Sequence, residues 1–269
     1  MKKTKKLWLF IVAFFVVNLT IVTTKMGGDR FLQYVSDLFP VLCSLVAVIA
    51  LFDSLRSFKL FDFTKKAWIF ILVGMIFYFV AESVYALLDL AMGYDMNETF
   101  PSVADIFWCT GYIPLLWGLL MMFTGYAKSG LPMGSTKLYF VIGAIIMGVT
   151  AFVVYYVLMP ISADPETSGL QFVFSMFYPI ADVLVVIPAL VLMYITSLFG
   201  KGTISRPWKY LALGFLLFTV ADLLYSYMLW QDLYDSGSYI DIAWNLGYLF
   251  IALAALYQKE LVESVKGKA

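Results

Sequence analysis

A short pattern of acidic and aromatic residues occurs twice in this chain. Residues 81–112 begin AESVY and end PSVADIFWCTGY, and residues 221–248 begin ADLLY and end YIDIAWNLGY. When the copies are aligned, like residues pair: Glu82 with Asp222, Tyr85 with Tyr225, Asp105 with Asp241, Trp108 with Trp244, Gly111 with Gly247 and Tyr112 with Tyr248. Carboxylates beside Tyr and Trp rings suit an organic cation, through ionic and cation–π contacts, or a polar amphiphile that stacks on the rings.

The polar residues of each copy recur every three or four positions, a spacing that places them on one face of a helix. In a membrane such a face turns away from lipid. We therefore predict an acidic, aromatic-lined cavity, open to the outside, that binds a small ligand. Asp182 is included because it ends a fainter echo of the pattern, YPIAD. The candidate ligand-binding residues are Glu82, Tyr85, Asp105, Trp108, Tyr112, Asp182, Asp222, Tyr225, Asp241, Trp244 and Tyr248.

The elements that carry these residues are predicted to be membrane helices. The 269 residues are 62% hydrophobic and only 13% charged, with a mean hydropathy of +0.89, and a spanning helix needs about 20 apolar residues. Eight such segments fit along the chain, and no soluble domain of useful size fits beside them. The predicted spans are 7–24, 34–53, 67–91, 103–126, 138–159, 171–199, 209–231 and 238–258.

Loop charges predict the orientation of these spans. Sixteen of the eighteen Lys and Arg residues lie in alternate loops and the tails, and only Lys25 and Arg30 lie in the opposite loops. By the positive-inside rule both termini are cytoplasmic, in a multi-pass protein of the plasma (inner) membrane. The basic start and the apolar run from Leu7 to Thr24 are interpreted as a retained first helix, because the run is longer than a signal-peptide core.

The duplicated pattern also predicts the fold class, an all-α polytopic membrane protein of two tandem four-helix repeats. The first repeat is residues 1–130, and the second is residues 131–269 with a short cytoplasmic tail. Because each repeat crosses the membrane an even number of times, the two share one orientation. We expect a pseudo-twofold axis along the membrane normal.

Six of the carboxylates in the predicted spans lie where no Lys or Arg is at comparable depth to neutralise them. An acidic side chain at a helix centre costs about 2.5–3.5 kcal/mol, so each is protonated, hydrogen-bonded or paired with a bound cation. Asp105 and Asp241 start helices, where a carboxylate favours the helix dipole, and a structural role is favoured for these two. For Glu82 and Asp222, a structural role and a functional role both remain as hypotheses. The six are Asp37, Glu82, Asp105, Asp222 and Asp241 in the outer half, and Asp182 somewhat deeper.

The residues or motifs that several other kinds of functional site require are absent from the sequence. The chain has no histidine, which removes His-ligated haem, His-containing zinc sites and His general bases. Cys43 and Cys109 lie in apolar segments without CxxC spacing and are interpreted as packing residues. Glu82 and Asp222 could form an aspartyl-type dyad, but no GxGD, phosphate-loop or GxSxG signature accompanies them. We predict no catalytic residue, metal, cofactor or nucleic-acid partner.

The segment PSVADIFWCTGY, preceded by AESVY, resembles a PSxADxxYxxGY-like stretch of multi-span membrane modules. Those modules are found at the N-termini of some bacterial and archaeal histidine kinases and diguanylate cyclases. The resemblance covers the third and fourth predicted helices, with a second copy in the seventh and eighth, and it implies that the chain senses a stimulus. Since the eighth predicted helix ends near residue 258 of 269, we expect no output domain and a separate signalling partner.

Two hypotheses therefore stand, with a third behind them. The first is a non-enzymatic sensor or receptor that binds a small ligand or a membrane lipid in the outward-facing cavity. The second is a small proton- or cation-coupled transporter or channel that uses the intramembrane carboxylates. A structural subunit with no cavity is the third. A transporter needs a polar path to the cytoplasm, whereas a sensor leaves the inner half apolar.

Overall fold

The computed structural model describes residues 3–59, 62–96, 99–163, 169–199, 202–231 and 233–266. In these ranges the chain forms no strand and eight helices long and apolar enough to cross a membrane. This confirms the predicted all-helical, multi-pass class and the number of candidate spans. The helices are α1 (Lys3–Thr24), α2 (Gly28–Leu55), α3 (Phe63–Ala91), α4 (Val103–Lys128), α5 (Thr136–Ala163), α6 (Gly169–Ser197), α7 (Arg206–Trp230) and α8 (Tyr239–Lys266).

Most helices match the predicted spans within a few residues, but α2 and α8 are longer. Helix α2 begins at Gly28 and α8 ends at Lys266. At the end of the bundle that carries the chain termini, which we call the inner end, polar contacts hold α8 beyond its apolar segment. Lys259 Nζ and Lys3 Nζ each lie 2.8 Å from an Asp53 carboxylate oxygen, and Thr4 donates to Glu260 at 2.8 Å.

Helix α3 packs on α4, and α7 packs on α8. Helix α2 lies against both α3 and α8, whereas α6 lies against both α7 and α4. Glycines permit the closest approaches: a Cβ atom on Gly111 would lie 3.2 Å from the Gly74 carbonyl oxygen, and one on Gly247 would lie 3.2 Å from that of Gly214. Small residues of this kind let membrane helices pack backbone to backbone.

The inner half of the bundle is filled with apolar side chains. Trp68 and Trp208 lie at its centre with ring centroids 5.4 Å apart, and both are fully buried. Residues 251–255 of α8 are fully buried as well. Among the described residues, no acidic side chain lies in the bundle between Asp182, the deepest acid of the outer half, and the Asp53 contacts at the inner end. The site below is thus closed on its inner side.

Helices α1 and α5 differ in how they meet the bundle. Helix α1 lies along α8, and Leu249 on α8 has no exposed surface. The matching position of α4 is Ile113, which is 69% exposed. Helix α5 instead packs at its outer end through Val153, Val157 and Ile161. One surface of α4 therefore faces the surroundings where that of α8 is covered.

Candidate functional site

A cavity of about 200 Å³, here called the acidic cavity, lies in the outer half of the bundle between α2, α3, α4, α6, α7 and α8. Loop residues Met96, Thr99, Phe100 and Tyr234 contribute to its outer end. At Tyr85 and Met96 it adjoins a wider depression of about 1210 Å³ on the outer surface. The candidate residues that line the acidic cavity are Glu82, Tyr85, Asp105, Trp108, Tyr112, Asp222, Tyr225, Asp241, Trp244 and Tyr248.

Glu82 on α3 receives hydrogen bonds from both motif copies. Its Oε1 atom accepts one from Trp108 Nε1 at 3.3 Å and another from the Tyr248 hydroxyl. Trp108 belongs to the same copy as Glu82, whereas Tyr248 is 166 residues away in the other copy. The second oxygen, Oε2, has no donor among the residues that the structure describes. Because Glu82 lines the acidic cavity, a ligand can reach this oxygen.

Asp222 on α7 has a similar pair of neighbours. Its Oδ1 atom accepts a hydrogen bond from Trp244 Nε1 at 2.6 Å, and the Tyr112 hydroxyl lies 3.5 Å from Oδ2. The same hydroxyl is only 2.6 Å from Asp182 Oδ1. Since a hydroxyl carries a single proton, Tyr112 donates mainly to Asp182. Asp182 is 3% exposed and is not one of the lining residues, so this candidate lies behind the cavity wall.

Asp105 is the third residue of α4 and forms a capping box with Ser102, the N-cap residue. Its Oδ2 atom accepts the backbone N–H of Ser102 at 2.6 Å, and the Ser102 hydroxyl in turn accepts the backbone N–H of Ala104 at 3.2 Å. Its Oδ1 atom accepts the Tyr178 hydroxyl of α6 at 2.6 Å. Both oxygens are therefore occupied. The Ser-x-x-Asp spacing is a capping-box pattern that the sequence shows and that the motif comparison passed over.

Asp241 holds the corresponding third position of α8, where Ser238 precedes the helix and its hydroxyl accepts the Ile240 N–H at 3.2 Å. Its Oδ2 atom accepts the backbone N–H groups of Gly237 at 2.8 Å and Ser238 at 3.1 Å, together with the Ser36 hydroxyl at 2.7 Å. Its Oδ1 atom accepts the Tyr234 hydroxyl at 3.0 Å. Burial, with the nearby Asp241 charge, raises the pKa of Tyr234 well above its usual range, so this loop tyrosine remains a donor.

Aromatic pairs flank the carboxylates in both motif copies. The rings of Tyr85 and Trp108 have centroids 5.7 Å apart, and those of Tyr225 and Trp244 are 5.4 Å apart. Tyr234 joins the second pair, 4.8 Å from Tyr225. The hydroxyls of Tyr85 and Tyr225 have no hydrogen-bond partner in the described part of the chain. The cavity thus combines ring faces with unused polar groups.

Asp37 on α2 is a lining residue that the motif comparison did not select. It is 3% exposed, and its Oδ2 atom is buried without a donor among the described residues. The carboxyl of Asp89, in the π-helical turn that ends α3, faces it. Asp89 Oδ1 accepts Gln33 Nε2 at 2.8 Å. The sequence offered one signal for this residue. Asp37 is an acid inside the second predicted span, although it lies outside both motif copies.

The acidic cavity has carboxyl groups and no compensating cation. None of the described lining residues is Lys or Arg. Within the described ranges there is also no group of three or more His, Cys, Asp or Glu side chains placed to hold a metal ion. The carboxyl groups are stabilised by hydrogen bonds from Tyr, Trp, Ser and backbone N–H groups. Some carboxylates accept such bonds at both oxygens, whereas others have an oxygen without a donor among the described residues.

No protein-family model, curated protein or solved structure matches this chain.

Proposed function

We propose that the chain is a non-enzymatic membrane sensor or receptor that binds a small ligand in the acidic cavity and signals through a separate protein. The observation that carries the proposal is the bonding of Glu82. One of its oxygens is held by a donor from each motif copy, and the other oxygen faces the cavity without a donor. A ligand at Glu82 therefore touches the contact that joins the two copies.

This proposal includes the tandem arrangement of residues 1–130 and 131–269, related by a pseudo-twofold axis along the membrane normal. The repeated pairing of neighbouring helices supports it, since α3 packs on α4 as α7 packs on α8. The crossed contacts also support it: Tyr248 reaches Glu82, and Tyr112 reaches towards Asp222. In such an arrangement, ligand binding shifts one repeat against the other, and the cytoplasmic loops present the shift to a partner.

The proposed orientation, with both termini in the cytoplasm, has a direct test. Single cysteines are placed at Ser129, after α4, and at Ser236, before α8, in a chain whose Cys43 and Cys109 are replaced by Ala. A membrane-impermeant maleimide is expected to label position 236 in intact cells and position 129 only after lysis. The reverse pattern would turn the acidic cavity towards the cytoplasm and remove the receptor proposal.

A proton- or cation-coupled transporter is the second candidate, because several carboxylates lie within membrane-spanning helices. Its support is Asp182 with Asp222, whose carboxyls share the Tyr112 hydroxyl. Against it stands the apolar inner half, where Trp68 and Trp208 are fully buried. A transporter would have to open this packing at each cycle, whereas a sensor leaves it intact. Uptake of a bound ligand into proteoliposomes would favour the transporter.

The first experiment is a thermal-stability screen of the detergent-purified protein with inorganic cations, organic amines and lipids. A ligand at about 100 times its dissociation constant adds about 2.7 kcal/mol to the free energy of unfolding. We expect one class to raise the melting temperature of the wild type and to leave the double variant Glu82→Gln, Asp222→Asn unchanged. If no class does so and the double variant is merely less stable, the carboxylates are structural and the receptor proposal fails.

A further inference from the structure

Resting on the proposed function, we infer that the ligand is a small organic cation with N–H donors, such as a primary amine, and that its nitrogen binds between Asp37 and Glu82. The inference follows from which acceptor atoms of the acidic cavity lack donors. It names a chemical class and a subsite on one side of the cavity, formed by α2 and α3.

Hydrogen bonding separates the lining carboxylates into two groups. Asp105 and Asp241 accept hydrogen bonds at both oxygens. Glu82 Oε2 and Asp37 Oδ2 have no donor among the described residues, and the group that faces the Asp37 carboxyl is another acid, Asp89. A buried acceptor without a donor costs free energy that a partner restores. The site therefore lacks donors where these two oxygens lie.

The two acids are also close in depth. Gln33 on α2 contacts Asp89 on α3 at 2.8 Å, which sets the register of these antiparallel helices. Asp37 is four residues further inward on α2, and Glu82 is seven residues further inward on α3. The difference of three residues corresponds to about 4.5 Å along the axis. Because both acids line the same cavity and differ little in depth, one nitrogen between α2 and α3 is placed to donate charge-assisted hydrogen bonds to both carboxyls.

The surroundings favour an amine over the other cations. A metal ion lacks the third acidic or thiol ligand that a protein site would supply within the described residues. A quaternary ammonium has no N–H group to offer the two oxygens, although it would contact the rings of Tyr85 and Trp108. Pro40 adds an acceptor, because it cannot bond the carbonyl of Ser36, another lining residue. The volume of about 200 Å³ suits a small molecule rather than a lipid.

The opposite side of the cavity does not provide a second subsite. Asp222 accepts Trp244 at 2.6 Å, and its neighbouring acid, Asp182, lies behind the wall with Tyr112 as its donor. Asp182 Oδ2 is buried without a donor, but a ligand in the cavity does not reach a residue outside the lining. The structure therefore assigns one nitrogen to each chain.

The test compares benzylamine, benzyltrimethylammonium and benzyl alcohol by isothermal titration of the detergent-purified full chain. We expect benzylamine to bind with a stoichiometry of one, and the other two compounds to bind at least tenfold more weakly. Equal binding of benzylamine and the quaternary analogue would overturn the inference, because the N–H donors would then be irrelevant. This comparison uses only the wild-type protein and needs no variant that folds.

Variants then locate the subsite. Asp37→Asn and Glu82→Gln are each expected to weaken benzylamine at least tenfold, whereas Asp53→Asn, the same change at the inner end of α2, should leave binding unchanged. Undiminished binding in both cavity variants would place the nitrogen elsewhere and overturn the assignment. If a lipid or neutral compound binds the wild type and the amines do not, this inference fails while the receptor proposal stands. If nothing in either series binds, both fail.

Discussion

Removing the Tyr248 hydroxyl tests whether the crossed contact at Glu82 stabilises the fold. The change Tyr248→Phe keeps the ring, which packs 4.8 Å from Phe218 and 6.3 Å from Tyr78 by ring centroids. It deletes the donor to Glu82 Oε1 and leaves Trp108 Nε1 at 3.3 Å as the remaining donor. A buried hydrogen bond contributes about 0.5–3 kcal/mol, with the upper part of the range for a charged acceptor. Because Tyr248 is 2% exposed, we expect a loss in that range.

The assay is equilibrium unfolding in mixed detergent micelles, with Tyr225→Phe as the matched control. The Tyr225 hydroxyl has no partner among the described residues, so its removal should change the free energy of unfolding by less than about 0.5 kcal/mol. A double-mutant cycle of Tyr248→Phe with Glu82→Gln then isolates the contact. If the two effects add within about 0.5 kcal/mol, or if Tyr225→Phe costs as much as Tyr248→Phe, the contact between the two motif copies does not stabilise the fold.

Two further pairs of substitutions test helix packing. Gly214→Ala should cost about 1–3 kcal/mol, because the new Cβ would lie 2.8 Å from the Gly247 carbonyl oxygen, whereas Gly143→Ala, with nothing within 4 Å, should be neutral or stabilising in the same unfolding assay. Leu249→Ala should cost towards the lower end of about 2–5 kcal/mol, because lipid tails are as apolar as leucine and mainly packing contacts are lost. Ile113→Ala at the matching exposed position should stay within about 0.5 kcal/mol. Equal losses within either pair would contradict the packing described for it.

Helix number and placement followed from the sequence because both depend on local properties. A run of about 20 apolar residues is long enough to cross the hydrocarbon core whatever its neighbours are, and all eight runs became helices. The inner end of α8 was missed for a non-local reason. Lys259 is held at Asp53, and that contact joins parts of the chain 206 residues apart, which no pattern within one segment records.

The candidate site shows the same contrast between local features, which the sequence predicts, and non-local contacts, which it does not. Helical spacing placed Glu82, Trp108 and Tyr248 on inward faces, and all three line the acidic cavity. Spacing could not tell which acids have all their oxygens occupied, because the donors come from distant helices. Tyr178 reaches Asp105 from α6, 73 residues away. Only the assembled bundle shows that this acid is occupied while others of the same residue type are not.

The two halves differ where the proposed ligand binds. Pro40 in α2 and Pro179 in α6 hold similar places before the paired motifs, yet three residues before Pro40 is Asp37 and three residues after Pro179 is Asp182. Each half therefore has an acid near the proline of its second helix, at a different depth. The acid of the first half faces the cavity, and the acid of the second half is buried behind it. Under the proposed function, a cation binds at Glu82. It therefore affects only one of the two crossed contacts, the hydrogen bond from Tyr248. The contact at Asp222 remains as it was, so binding changes one side of the joint between the repeats, which produces a tilt rather than a uniform separation.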